Sequence, residues 1–291
     1  MTHAVPGGFA VRRYADIAAA RSAIRHHDIY GAFAVSPGQL TLLEASAASP
    51  TVAQVLDGLG QQLLQHASER SAVHAQPRVT LATVDVVPTA ATDPRGLVLG
   101  STILPLCIVS VIMAAVIALI VGFRPAWRQI MALGVVSATA GWGAYLVAQC
   151  LLGALPHLHA ASWAVLSLTL FAMSARTAGL IALIGAAGLG LSAALMIFVG
   201  NGFSGATSAP QLLPTAIDHI GQWFPPGAAA SLLRSTAYFN GNGAAGHLSV
   251  LIIWSVLGLA AVVAGHHSPV RFAASASMRA TERHSQVVHS S

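Results

Sequence analysis

From residue 97 onward the chain is written in long apolar runs broken by short polar segments, whereas its first 96 residues change period every few positions. Five runs approach the roughly 20 residues needed to cross a hydrocarbon core of about 30 Å. They cover about 97–121, 130–154, 158–175, 177–199 and 247–265. Only Ala175-Arg176-Thr177 divides the third from the fourth. The interval 201–246 mixes Gly, Pro and aromatic residues and carries a short helical stretch after Pro225-Pro226. Its apolar content predicts that it dips into, or lies along, the outer membrane interface.

Before these runs, FAVRR, DIYGAFAV, QLTLLEA and RVTLATVDVV read as short strands,. Two helical stretches separate them. The first covers about 15–27, opens near Asp16 and has Ile17, Ala20 and Ile24 at helical spacing. The second covers about 51–68 and follows Ser49-Pro50, a cap and first-turn pair,. The breakers in VVPTAATDPRG put the end of this part near Gly96,. The expected architecture is a membrane α-helical bundle of about five transmembrane helices (97–265) behind an N-terminal α+β extracytoplasmic domain (1–96). The stretch 266–291 has no apolar periodicity and is expected to be a disordered cytoplasmic tail,.

Composition points the same way. Of 291 residues 55% are hydrophobic and 8% charged, against about 25% charged in soluble domains. All fourteen basic residues are Arg, and residues 1–96 hold seven Arg against seven acids. The high isoelectric point therefore reflects arginines among the helices, and no nucleic-acid partner is implied. The first twenty residues lack the basic start and apolar core of a signal peptide,.

Arginines in short segments give an orientation. Arg124 and Arg128 follow the first run, Arg176 the third, and Arg271, Arg279 and Arg283 the fifth, which puts those segments in the cytoplasm. The 1–96 domain, the 156–159 turn and the 201–246 loop then face outward. The expected location is the plasma membrane, multi-pass, with the C-terminus cytoplasmic and the lipid bilayer as the first partner.

Few residues carry chemistry. Cys107 and Cys150 lie in apolar runs, and the His pairs 26–27, 157/159 and 266–267 lack an acid or Cys to complete a metal set,. A phosphate-binding loop needs a Lys, which this chain does not contain. No Asp, Glu or Lys occurs between Pro94 and Ile217, so an ion-coupled relay is disfavoured. No catalytic constellation is legible, so neither an enzyme nor a cofactor is expected. Small residues four apart (Ala182, Ala186, Gly190, Ala194; Ala140, Ala144, Ala148) suit close helix packing within the bundle rather than a dimer seam,. Arg124, Trp127 and Arg128 combine two cations with an interfacial aromatic. In the external loop Trp223, Phe224, Arg234 and Tyr238 are candidate lipid or substrate contacts, with Arg234 either binding an anion or snorkelling to headgroups,.

Taken with the α+β domain and the spans, VDVVPTAATDPRG, FVGNGFSGATSAPQLLP and FPPGAAASLLRSTAYFNG resemble actinobacterial membrane proteins of the type 2 ATP-binding-cassette (ABC) permease class, in its phage-infection-protein-like (Pip) branch. The resemblance covers about 9–265. It implies a permease subunit of an ABC-type exporter for an amphipathic or lipidic substrate, working as a homo- or heterodimer with a separate cytosolic ATPase. That ATPase would push on the 122–129 loop, through Arg124, Trp127 and Arg128. The class also has a span before its external domain; this chain begins inside that domain, so an upstream span or a degenerate copy is expected. The competing reading, from another class, is a non-transporting envelope scaffold or surface receptor.

Overall fold

The computed structural model describes residues 3–4, 10–74, 79–94, 96–122, 124–153, 159–196, 198, 203–206 and 215–266. The 156–158 part of the expected turn, most of the expected tail and 207–214 of the long loop lie outside them.

Each strand-like run contains a strand. β1 (His3–Ala4) pairs antiparallel with β2 (Ala10–Val11). A three-stranded sheet follows, with β4 (Gln39–Glu44) central, antiparallel to β3 (Gly31–Ser36) and parallel to β5 (Thr80–Asp85). The parallel pair needs a crossover, and α2 (Pro50–His74) supplies it. Ser49 Oγ accepts from Val52 N at 3.3 Å at its start. α1 (Ile17–Arg25) is capped by Asp16, whose carboxylate accepts from Ala19 N,, and buries Ala20, Ala23 and Ile24. Its core meets the sheet around Leu43, Ala45 and Ala48.

α3 (Leu97–Val121) starts at the expected boundary. The buried Asp93 carboxylate accepts from the N–H groups of Leu97 and Val98, both at 2.9 Å. Gly96 turns the chain with φ +61°, and a Cβ there would meet Pro50 Cγ at 2.9 Å, so only glycine suits this corner. α4 (Ala126–Leu146) returns and ends in a π-helical turn, Val147–Leu151. The remaining helices are α5 (His159–Ile184), α6 (Ala186–Ala194), α7 (Thr215–Trp223), α8 (Pro225–Tyr238) and α9 (Ala244–His266).

Among the described residues four helices, not five, are long and apolar enough to cross a membrane: Leu97–Val121, Ala126–Cys150, Ala160–Ile184 and Ala244–His266. The expected spans 158–175 and 177–199 are the exception. Ala175-Arg176-Thr177 holds no breaker, Ala and Arg favour helix, and α5 runs straight through it. The break falls at Gly185, with φ +65°. α6 then folds back, with Gly188 too close to the Leu180 backbone for any side chain. Thr177 Oγ1 lies 2.7 Å from Ser192 Oγ across this pair. Arg176 is therefore a helix residue and not a loop arginine.

The bundle's two ends are fixed by cross-links. At the domain end Thr92 Oγ1 donates to Gly153 O, and Asn242 Nδ2 to Arg25 O. At the far end His266 Nε2 lies 3.1 Å from Arg124 O. α5 and α9 run parallel along a seam of small residues. A Cβ on Gly258 would lie 2.5 Å from the backbone of Ala175 and Arg176, and one on Gly265 2.5 Å from Ala182 O, so the two backbones nearly touch.

Leu119, Ile120, Met131, Val135 and Val256 are exposed on the bundle's outside, whereas Ser110, Gln129, Ser137, Ser174, Thr177 and Ser255 are buried inside. Apolar outside and hydroxyl-bearing inside is the arrangement a lipid solvent selects. The chain is a helical membrane protein.

Candidate functional site

α8 organises the bundle interior. The sequence placed 201–246 as an external loop with a short helix. In the structure every residue from Pro225 to Ala237 is buried. Its first residues, Pro-Pro-Gly-Ala-Ala-Ala-Ser, offer so little bulk that neighbouring helices close over them, and Gly227 packs directly on the Gly221 carbonyl. The helix begins deep and ends under the soluble domain. At its deep end Trp254, midway along α9, donates its indole N–H to Trp223 O at 2.7 Å, and Phe224 packs 5.9 Å from the Trp254 ring. The break between α7 and α8 thus lies at mid-depth.

Arg176 lies at the same level. Its guanidinium Cζ is 5.2 Å from the centroid of the Trp254 ring, a cation–π distance. The residue is 5% exposed, and among the described residues neither Nη1 nor Nη2 has a hydrogen-bond partner. Cys107 of α3 is within electrostatic reach. Sequence reasoning missed this position by reading it as a loop. The available signal was a lone Arg in an apolar stretch with no Gly or Pro beside it.

Two and a half turns above α8's start stands Arg234, 5% exposed, donating from Nη2 to Ala206 O at 3.1 Å. It does not snorkel, because the domain and the 203–206 segment cover it. A cavity of about 20 Å³ adjoins it, lined by Ala47, Pro50, Gly96, Leu99, Ala206 and Tyr238 among others, which is room for one water. Domain and bundle meet here. His27, held at φ +64°, stacks on Phe239 just past the end of α8.

The four loop candidates therefore divide. Trp223 and Phe224 flank the Arg176 level, and Arg234 and Tyr238 line the cavity above it. Arg124, Trp127 and Arg128 stay together, exposed at the far end, with the Arg128 guanidinium 5.3 Å from the Trp127 ring centroid. Among the described residues the one ion pair is His66 with Glu69 in the soluble domain. Among the described residues neither Arg176 nor Arg234 faces a carboxylate partner, and no group of three or more His, Cys, Asp or Glu is placed to hold a metal.

Compared with family models, curated proteins and solved structures, the chain matches none.

Proposed function

We propose that this chain is a permease-like subunit of an ABC-type exporter in the plasma membrane, moving an amphipathic or lipidic substrate with ATP hydrolysed on a separate chain. The observation that carries the reading is the helix break between α7 and α8 at the level of Trp254. Interrupted backbone at membrane depth is tolerated only where protein buries it or where it lines a path. Transporters build their substrate sites from such discontinuous helices near the midplane.

In this reading the 1–96 domain faces outward and receives or gates cargo above α8, and the ATPase docks at the opposite end. There Arg124, Trp127 and Arg128 are exposed beside the close of α9, so a push on this corner is transmitted to two helices at once.

The test is photocrosslinking in native membranes, with a photoreactive amino acid in place of Trp127 in the full chain. The expected product is an adduct with a soluble ATPase whose turnover changes when the purified full chain in vesicles is added. No ATPase adduct and no change in turnover would overturn the reading and leave a non-transporting envelope scaffold or receptor.

A further inference from the structure

The geometry points to Arg176 as the binding point for the anionic head of an amphiphile, a phosphate or carboxylate, drawn sideways from the bilayer into the middle of the bundle. This deepens the permease reading and rests on it for the ligand's journey, but not for its binding.

An arginine keeps its charge in proteins, and burying an isolated charge is costly unless it is paired. Arg176 is 5% exposed, and both terminal nitrogens lack a hydrogen-bond partner among the described residues. Among the described residues no carboxylate pairs with it: α3, α4, α5, α6, α8 and α9 contain no Asp or Glu, and α7 contains one, Asp218. The Trp254 ring face supplies only a weak, charge-quadrupole contact,. The anionic head of a ligand would supply the missing counter-charge, and intramembrane arginines commonly mark such paths.

Two further observations bear on the ligand, the first favouring an anion and the second an amphiphile over a free ion. α8 presents its N-terminal end at this level, adding a positive dipole end to the guanidinium,. The way out is aromatic: Trp254 is half-buried, its indole is tied to the backbone of Trp223, and Trp223 is 62% exposed on the apolar outside of the bundle. One indole thus separates the cation from lipid. A head can pair with Arg176 while its chain remains among lipid tails past Trp223, an arrangement a free ion has no use for.

The experiment is equilibrium binding of dodecyl phosphate to the full chain in phosphatidylcholine nanodiscs, followed by the thermal midpoint and by native mass spectrometry. Neither ATPase nor transport is involved, so a failed permease reading leaves the result intact. The wild type is expected to bind dodecyl phosphate and to gain thermal stability on binding. Arg176→Gln should weaken binding on the order of tenfold or more, since a charge-assisted pair is lost. Arg21→Gln, on the exposed face of α1, should bind as the wild type does. Arg176→Met serves as the folding control, because replacing an unpaired buried charge with an apolar side chain should raise the ligand-free midpoint. Inorganic phosphate, run in parallel, distinguishes the sources: weaker binding than dodecyl phosphate supports the amphiphile, and equal binding overturns it. Binding unchanged in Arg176→Gln, or a ligand-free midpoint that falls in Arg176→Met, overturns the site.

Discussion

The imidazole of His27 lies flat on the phenyl ring of Phe239, with centroids 4.2 Å apart and planes inclined by 13°. One ring belongs to the soluble domain and the other follows α8, so this stack is a joint between domain and bundle. Asn242 Nδ2 donates to Arg25 O at 3.3 Å beside it.

The joint carries a pH dependence. Burial first, and the positive charge of Arg234 and His247 next, lower the His27 pKa from 6.5 to about 4, against the opposing pull of Asp28. Between those values the unfolded chain takes up a proton that the folded chain refuses. Stability from this group is therefore fully present above pH 6.5 and is lost as pH falls toward 4. His27→Asn, which tolerates the positive φ, should remove an acid sensitivity on the order of 2 kcal/mol. Thermal midpoints of the full chain between pH 7 and pH 4 check it, and parallel curves for wild type and variant would refute it.

Glu44 has the opposite sign. It ends the central strand, is 7% exposed and, among the described residues, leaves Oε2 without a hydrogen bond. Burial, then Asp57 and Asp85, raise its pKa from 4.5 to about 7. Here the folded chain holds a proton that the unfolded chain releases, so the contribution is complete below pH 4.5 and lost as pH rises through 7. Glu44→Gln, which mimics the protonated form, should stabilise the full chain at pH 8 by on the order of 1–2 kcal/mol. Near pH 4 it should change little. Denaturation at the two pH values measures the difference.

The seam between α5 and α9 is the bundle's most demanding contact. In Gly258→Ala the new methyl group would sit 2.5 Å from backbone atoms of Ala175 and Arg176, and backbone cannot swing aside. The helices must separate, at a cost of about 2 kcal/mol or more. Gly134→Ala is the counter-case, with nothing within 4 Å of the added carbon on α4, and should gain about 0.5–1 kcal/mol from helix propensity. Thermal midpoints in nanodiscs should move in opposite directions.

Much of the architecture was legible because it rests on local chemistry. α3 coincides with its apolar run, Asp16 and Ser49 cap the helices they precede, and Asp93 marks the start of the bundle. The site was legible only in parts. Arg234 stood out as a lone charge, yet its loop setting suggested the headgroup region, and nothing local said that a whole helix of small residues would be drawn inside. Arg176 was misread because positive-inside counting treats an arginine between two apolar runs as a loop, although its neighbours are helix formers.

Membrane character was settled by the sequence alone, because apolar run length and the near absence of charge leave a lipid solvent as the main way to satisfy these segments. So was the alternation of strands and helices in the first 96 residues, set by periodicity and caps. The four-helix count, the burial of α8, the stacking of His27 on Phe239 and the isolation of Arg176 against Trp254 were decided by tertiary structure. Each depends on which distant segment comes to lie alongside, and the cost of a buried charge or the fit of two glycine-lined backbones exists only once those segments have met.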